Sequence, residues 1–571
     1  MSLRDRLRVP ERIRALTDRL SDPRDDGPPA MRILRGYGPL AVLALVLVLI
    51  AAFVPTSERD VIRVAGEGGS GPGAGPAALA DESDGDGAGV GDPDGVGGAT
   101  AKKSGSGASA LPPGRTTACT DGRDLQVEGD GYSPPCIEFT GSNGGATARG
   151  VTPEEIVVSA RVLDEPGFQE ALAQLAGADI VDTPDDVRRT LGALAEYFNK
   201  NFQFYGRKLK IEFYEGKGST QAEILGGGQE EAQQDARHAS REIKAFAEIA
   251  AGTPPFADAL SQEQVVNFGA PYMSRKWFAD RYPFAWAGLP DCSIVVETAA
   301  EYALKKLYGK PARFAGGNLK DVTRKFGTIA PENTWYQECV DDGEALLAKG
   351  GVPAGDFPFR VKYQLNLATM SNQATNVIAK MKDEKITSIF TGFDPVMAIF
   401  LTGKATEQDY HPEWIIVGVA AQDIDLVGQL FDQDSWSRAF GVSYLSEFQP
   451  LRASYGYNAY KQVRSDEPAF VVDLIYYQLY MLSIGIQMAG PHLTPQSFAE
   501  GMDRYPGGAG PAGTWGFGPG DQTPPEDARE IWYDPNQRSV QNNELGAYVD
   551  TAPGTRYRRG DWPSTEPRVF Q

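Results

Sequence analysis

The chain has 571 residues, of which 41% are hydrophobic and 10% aromatic, enough for a sizeable core. Its formal net charge of −21 argues against a nucleic-acid partner, which would need a basic surface, and suits an acidic extracytoplasmic protein. Because the three histidines are spread through the chain and no Cys-x-x-Cys occurs, the sequence predicts no metal site and no cofactor.

The N-terminal region has the pattern of a membrane anchor. Residues 1–36 form a basic tail with nine arginines and six acidic residues, predicted to be cytoplasmic. Residues 37–55 are the predicted transmembrane signal-anchor, because 40–54 is an uncharged apolar run at the short end for a bilayer span. This orientation places the C-terminal part outside the cell membrane. The alternative is a cleaved signal peptide and a secreted protein, although no small-x-small cleavage site follows the run closely.

Two further segments precede the folded part. Residues 56–115 are rich in glycine and aspartate, and they are predicted to be a disordered linker because they can bury too little apolar surface to fold. Residues 116–150 form a Cys-loop extension that contains Cys119 and Cys136.

The four cysteines of the chain predict two disulfides. Of the three possible pairings, sequence order favours Cys119–Cys136 and Cys292–Cys339. Disulfides fit an oxidising compartment. The alternative is four buried thiols.

From residue 151 onward, short apolar strands alternate with helices, a pattern typical of doubly wound α/β lobes. Lobe 1 is predicted to comprise 151–290 and 440–505, with a strand at 440–445 that crosses back from lobe 2. The helix at 469–488 is predicted to be buried, because it contains Asp473 and Gln478 and so is a poor second membrane span. The other predicted elements of lobe 1 are strands 156–163, 208–214, 246–251 and 265–270 and helices 183–204 and 230–245.

Lobe 2 is predicted to comprise 291–439 and 506–571. Its clearest part is a βαβ unit, in which apolar strands 386–391 and 414–419 flank a helix that opens at Asp394-Pro395. Two strands joined in this way should lie parallel in a sheet covered on both faces. The other predicted elements of lobe 2 are helices 293–308, 335–349 and 370–382 and strands 325–330, 359–363, 527–533 and 546–549.

Ligands of parallel sheets bind just beyond the carboxyl ends of the strands. In both predicted lobes these ends carry polar and aromatic side chains, so the sequence predicts a ligand-binding cleft between the lobes. The predicted ligand-binding residues are Thr253, Tyr272, Ser274, Trp335, Tyr336, Phe393, Asp394, Gln422 and Asp423. The folded part contains no phosphate loop, G-x-S-x-G elbow or HExxH pattern, so no catalytic residue is predicted and the chain is not expected to be an enzyme.

Five segments carry a family resemblance in the same order along the chain. They are GVTPEEIVV at 150–158, YGRKL at 205–209, FAEIAAG at 246–252, QATNVIAKM at 373–381 and GFGPGDQT at 516–523. Together they resemble the substrate-binding proteins of branched-chain amino-acid-type ABC transporters, and the Cys-loop extension resembles that of some actinobacterial members. The resemblance implies the type 1 periplasmic-binding fold, in which two doubly wound α/β lobes are joined by a hinge. Here one N-terminal transmembrane helix and a disordered linker would precede that fold.

The resemblance also implies where the ligand lies. The family's ligand loops correspond to Thr253-Pro254-Pro255, 270–274, Trp335-Tyr336, Phe393-Asp394 and Gln422-Asp423. In the family, hydroxyls and backbone N–H groups hold the ligand carboxylate, while an acid and aromatic rings hold the ammonium side. This chain departs from the pattern, because two prolines, which lack N–H groups, replace a serine with free backbone donors, and Trp335-Tyr336 replaces a Tyr-Gly pair. These departures favour a larger or less charged ligand than an α-amino acid, packed on aromatic faces.

For three of the predicted site residues, the sequence allows a structural role to be weighed against ligand binding. Asp394 precedes a proline and is expected to cap its helix. Trp335 has an alternative role in the core, because large aromatic side chains are usually buried. Asp423 has no structural role that the sequence reveals, and so it is the strongest functional candidate.

The sequence thus predicts a membrane-anchored extracytoplasmic solute-binding protein. It would capture a small organic ligand, amino-acid-, amide- or aromatic-acid-like, in an interlobe cleft and deliver it to ABC permease subunits. One alternative is a ligand-sensing or scaffold ectodomain without transport. A less favoured alternative is a hydrolase on the same fold.

Overall fold

The computed structural model describes residues 122–163, 182–447 and 449–570. All of them belong to one compact unit, Lys103–Gln571. The predicted tail at 1–36, the span at 37–55, the linker at 56–115 and Cys119 lie outside the described residues. Among the helices within these ranges, none is long and apolar enough to cross a membrane.

The first sheet consists of parallel strands in the order β2-β1-β3-β4-β5. Strand β1, which lies between β2 and β3, is buried along most of its length, as expected for a sheet covered on both faces. The strands are β1 Glu155–Val162, β2 Lys208–Glu215, β3 Ala247–Ala251, β4 Val266–Gly269 and β5 Ala285–Trp286.

The second sheet has the order β14-β13-β10-β9-β8-β6-β7, with β15 paired to β13. Strands β6 to β10 pair with one another in parallel, and β13 and β14 extend the sheet beyond β10 in antiparallel fashion. Its parallel strands are β6 Phe326–Pro331, β7 Phe359–Tyr363, β8 Ser388–Phe390, β9 Glu413–Ile416 and β10 Ala439–Ser443. A separate hairpin is formed by β11 Gly508–Gly510 and β12 Gly513–Trp515, and the remaining strands are β13 Asp527–Arg538, β14 Leu545–Asp550 and β15 Tyr557–Arg558.

Helices connect the strands and cover the sheets. Those that follow the strands of the first sheet are α1 Pro184–Asn201, α2 Thr220–Ile224, α3 Gln229–Arg237, α4 Pro254–Gln262 and α5 Arg275–Ala279. Those between β5 and β10 are α6 Cys292–Tyr302, α7 Thr334–Lys349, α8 Leu367–Asp383, α9 Pro395–Glu407, α10 Asp425–Gly428 and α11 Gln433–Trp436. The last three are α12 Tyr455–Lys461, α13 Val472–Ala489 and α14 Pro495–Asp503. Helices α3 and α6 continue as π-helical turns over His238–Ile243 and Ala303–Leu307, and short 3-10 turns lie at Gly317–Leu319, Ala354–Asp356 and Leu451–Ala453.

The mixed α/β architecture with parallel sheets confirms the predicted fold class, but two predicted lobe boundaries need correction. The strand predicted to cross back at 440–445 is β10, which lies in the second sheet between β9 and β13. The chain returns to the first lobe later, because α12, α13 and α14 pack in the same core as β1 and α1. The segment after 506 also begins against lobe 1, where Trp515 lies in that core. Strand order depends on long-range pairing, which the local pattern of one strand does not reveal.

Helix α13 is the centre of the lobe 1 core. Its buried residues include Tyr476, Tyr480 and Ile484, which confirms its prediction as a buried helix. The Cys-loop extension packs against the same core, because the ring of Tyr132 stacks on Trp515 with centroids 4.5 Å apart.

The extension also brings a buried carboxyl group to α13. Asp130 is fully buried, and its Oδ2 accepts a hydrogen bond from the hydroxyl of Tyr480 at 2.9 Å while its Oδ1 accepts one from the backbone N–H of Tyr132 at 3.0 Å. Burial raises the pKa of Asp130 from 3.8 to about 6, although these hydrogen bonds oppose the shift.

This carboxyl group predicts a pH-dependent stability. Between about pH 4 and pH 6 the folded state keeps a proton on Asp130 that the unfolded state has released. The contribution of Asp130 to the free energy of unfolding therefore falls as the pH rises through this range. The full loss is about 3 kcal/mol. We expect Asp130→Asn, which cannot ionise, to be stabilised relative to wild type at pH 7 more than at pH 4. Urea unfolding at the two pH values measures this difference, and an equal effect at both would contradict it.

Candidate functional site

A cavity of about 210 Å³ lies at the carboxyl edge of the second sheet. Its walls come from α6 and α7, from the ends of β6, β8 and β9, and from two lobe 1 residues, Ile224 and Tyr272. The wall residues on the two helices are Cys292, Val295, Val296, Ala299, Ala300, Tyr336, Cys339, Val340, Gly343, Glu344 and Leu347. Those at the strand ends and in the adjoining loops are Thr328, Ala330, Pro331, Pro358, Leu365, Phe390, Gly392, Phe393, Asp394, Val417, Val419 and Ala420.

The chemistry of these walls is mainly apolar. Of the residues within 122–163, 182–447 and 449–570, two carboxylates, Asp394 and Glu344, line the cavity, whereas no lysine, arginine or histidine does. Glu344 is already paired, because its Oε1 lies 2.8 Å from Nη2 of Arg360. A ligand therefore meets hydrocarbon surface, aromatic rings and one carboxyl group without a cationic partner among the wall residues.

A disulfide joins the two helices that form one side of the cavity. Cys292, the first residue of α6, is bonded to Cys339 in α7, with a Cα–Cα distance of 5.8 Å. This confirms the predicted second pair. Cys136 is also disulfide-bonded, but Cys119 lies outside the described residues, so the first pairing stays a prediction.

Asp394 lies at the polar end of the cavity. It caps α9 as predicted: its Oδ1 accepts hydrogen bonds from the backbone N–H groups of Val396 at 2.9 Å and Met397 at 3.0 Å. The hydroxyl of Tyr363 donates to its Oδ2. Burial raises the pKa of the Asp394 carboxyl group, and the hydrogen bonds partly offset this effect.

This geometry predicts different effects for two substitutions at Asp394. We expect Asp394→Ala to lower the free energy of unfolding by about 1 to 2 kcal/mol, because it removes the cap. Asp394→Asn should stay within about 0.5 kcal/mol of wild type, because an asparagine oxygen also caps a helix. Urea unfolding at pH 7 measures both, and equal losses would show that the charge rather than the cap stabilises this helix end.

Aromatic residues connect the two lobes beside the cavity. Tyr272 projects from lobe 1 with a left-handed backbone (φ 64°) and packs against the lobe 2 core around Phe390, where its hydroxyl oxygen accepts a hydrogen bond from the backbone N–H of Ala420. In the opposite direction, Trp335 and Tyr336 of α7 pack against a lobe 1 cluster that includes Phe256. Burial raises the pKa of the hydroxyls of Tyr272 and Tyr336, so both remain neutral hydrogen-bond donors.

The predicted polar loop of lobe 1 is occupied by the protein's own charges. The guanidinium of Arg161 binds both oxygens of Glu223, at 2.8 and 2.9 Å, and Oδ2 of Asp235 at 3.3 Å. The hydroxyl of Thr253 donates to Glu223. All four side chains are buried, and the guanidinium also stacks over the ring of Phe256 at 3.6 Å.

The remaining predicted residues also have structural partners. Ser274 caps α5, where its Oγ accepts from the N–H of Trp277 at 3.1 Å. The amide of Gln422 donates to the carbonyl of Phe393. Asp423, for which the sequence revealed no structural role, is buried and accepts a 2.6 Å hydrogen bond from Ser443.

The structure thus brings together only part of the predicted set. Tyr272, Tyr336, Phe393 and Asp394 line the cavity, whereas the other five predicted residues do not. Sequence reasoning missed the apolar wall of α6 and α7, because its residues resemble ordinary core positions of amphipathic helices. The predicted Cys292–Cys339 disulfide could have indicated this wall, since it joins the two helices that form it.

Comparison with known proteins gives the family. A model described as periplasmic binding protein matches residues 182–530. The chain belongs to this family. The match confirms the resemblance drawn from the sequence, and it spans most of the two sheets described above. A search of curated proteins finds no match for this periplasmic binding protein.

Solved structures with a similar fold come from several bacteria. A possible leucine/isoleucine/valine-binding protein from Rhodopirellula baltica SH 1 is 11% identical with a TM-score of 0.50, covering 69% of this chain and 96% of that one. An ABC transporter solute binding protein from Rhodopseudomonas palustris BisB5, in complex with 3,4-dihydroxy benzoic acid, is 12% identical with a TM-score of 0.49, covering 71% and 98%. A fatty acid ABC transporter substrate-binding protein from Thermomonospora curvata is 12% identical with a TM-score of 0.49, covering 75% and 99%. From the Rhodopirellula likeness we take the fold alone.

Proposed function

We propose that this periplasmic binding protein captures a small organic ligand in the α6–α7 cavity and delivers it to the permease of an ABC transporter. The observation that carries the proposal is the cavity itself. It lies at the carboxyl edge of a parallel sheet, where such folds bind ligands, and residues of both lobes line it. No catalytic role is assigned to any residue, and we propose that the protein is not an enzyme.

Closure of the lobes would couple binding to transport. Tyr272 from lobe 1 and Tyr336 from lobe 2 both line the cavity, so a bound ligand contacts the two lobes at once. A ligand that makes more contacts in the closed than in the open arrangement shifts the population towards closure. The permease would then recognise the closed form.

The proposal extends to the cell envelope. We propose that 37–55 anchors the chain in the cell membrane as a single span, with the N-terminus in the cytoplasm and the binding domain outside. The basic residues of 1–36 and the Cys292–Cys339 disulfide, which fits an oxidising compartment, support this arrangement.

Thermal-shift screening of the full-length protein tests the function. The library should contain amino acids, amides, aromatic acids and uncharged apolar metabolites. We expect at least one compound to raise the melting temperature progressively with the logarithm of its concentration, because a ligand that binds only the folded state stabilises it by mass action. No stabilising compound in such a library would contradict the proposal.

A matched pair of variants locates the site. Gly343 lies in α7 on the cavity wall, and a Cβ there would meet Val296 at 3.5 Å, an ordinary contact. Gly403 lies inside α9, where an added Cβ would meet nothing within 4 Å. Both substitutions to leucine replace a helical glycine, but only Gly343→Leu fills the cavity. We expect Gly343→Leu to weaken binding of any screening hit at least about tenfold and Gly403→Leu to leave it unchanged. Equal affinities in the two variants, measured by calorimetry, would place the site elsewhere.

A further inference from the structure

The walls of the cavity restrict the charge of its ligand. We infer that the ligand is an uncharged, mainly apolar molecule with one hydrogen-bond donor, and that the site excludes zwitterionic α-amino acids. This inference rests on the proposed function, and it narrows the ligand class that the sequence left open.

An anionic ligand has no partner in the cavity. Among the described residues that form its walls none is cationic, and two of them, Asp394 and Glu344, are carboxylates. A ligand carboxylate placed there would lose its hydration without a compensating charge, and it would also be repelled by Asp394. Burial of an unpaired charge is among the most unfavourable changes that a binding site can impose.

Around Thr253, the described residues of lobe 1 give a ligand carboxylate no free cation. Arg161, near the end of β1, is the buried cation beside Thr253, but Glu223 and Asp235 already neutralise it. The hydroxyl of Thr253 is used by Glu223, and the next two residues are prolines, which lack N–H groups. The hydroxyl of Thr253 and the backbone N–H groups of the two residues after it are therefore taken or missing as donors to a ligand carboxylate.

The polar end of the cavity suits a neutral donor. A carboxylate has about four acceptor positions, and Val396, Met397 and Tyr363 use three of those on Asp394. One position remains for the ligand. A hydroxyl or amide N–H needs only one acceptor, whereas an ammonium group has three donors to satisfy and would leave water for an otherwise apolar space.

The volume sets the size of the ligand. An apolar cavity of about 150 Å³ binds benzene. At about 210 Å³ this cavity holds a somewhat larger molecule, such as a branched alcohol or a small aromatic alcohol. Leucine has a side chain of suitable size, so charge rather than shape is what would exclude it.

A series with one carbon skeleton separates charge from shape. The probes are 4-methylpentan-1-ol, 4-methylpentanoate, 4-methylpentylamine and leucine, each titrated into the full-length protein at pH 7 by calorimetry. We expect the alcohol to bind at least about tenfold more tightly than each of the three charged probes. We also expect the alcohol to lose at least about tenfold in affinity in Gly343→Leu and to keep its affinity in Gly403→Leu.

The outcomes separate this inference from the proposed function. Tighter binding of leucine, the carboxylate or the amine than of the alcohol would overturn the inference and leave the solute-binding function standing. If none of the four probes binds and the library hits are charged, the inference is likewise overturned and the solute-binding function stands. Uncharged library hits would support the inference. If neither the series nor the library contains a ligand, the proposed function fails and the inference fails with it.

Discussion

Replacing Cys292 and Cys339 together with alanine should lower the free energy of unfolding by about 4 kcal/mol. The disulfide joins residues 47 apart, and a cross-link across a loop of that length removes much of the conformational freedom of the unfolded chain. Because both cysteines line the cavity, the variant should also bind its ligand more weakly as α6 and α7 gain freedom to separate. Urea unfolding under non-reducing conditions measures the first effect and calorimetry the second.

A reductant provides the control for this variant. Cys136 is also disulfide-bonded, so reduction of the wild type removes more than the Cys292–Cys339 link. The double-alanine variant under reducing conditions should therefore be less stable than the same variant under oxidising conditions. A variant as stable as wild type under oxidising conditions would show that the packing of the two helices, rather than the disulfide, holds the cavity wall.

Replacing Arg161 with methionine should cost about 3 to 5 kcal/mol. The substitution keeps most of the volume but leaves Glu223 and Asp235 buried without their cation, and breaking a buried ion pair from one side is strongly destabilising. Removal of the guanidinium also removes its stacking on Phe256.

An exposed ion pair gives the matched comparison for Arg161. Lys200 and Glu196 are paired at 2.8 Å on the surface of α1, with about half of the lysine side chain exposed. We expect Lys200→Ala to change the free energy of unfolding by less than about 1 kcal/mol. If Arg161→Met costs no more than Lys200→Ala, the lobe 1 loop is not the closed, fully paired network described above. Its charges would then be free to bind a ligand.

Much of the fold could be predicted from the sequence, because it depends on local patterns. The apolar runs that became β1, β3 and β8 and the capped helix α9 lie within a few residues of their predicted positions. The placement of β10 could not be predicted, since nothing within a strand states which neighbours it pairs with. The stacking of Tyr132, in the Cys-loop extension, on Trp515 of the β11–β12 hairpin was missed for the same reason.

The candidate site was less predictable than the fold. Thr253 and Glu223 are 30 residues apart, and Asp423 and Ser443 are 20 apart. Each pair meets only through the tertiary fold, so a polar residue at a strand end looked available when it was already bonded. The residues that could be placed correctly were those whose role is local, such as the cap at Asp394, or covalent, such as the Cys292–Cys339 link.

A crystal structure of the protein with its most stabilising ligand tests the central claim most directly. We expect the ligand to lie between α6 and α7, in contact with Val296, Tyr336 and Gly343, with its polar group directed towards Asp394. A ligand bound instead beside Thr253 and Ser274, with the Arg161 ion pairs opened to receive it, would contradict the claim.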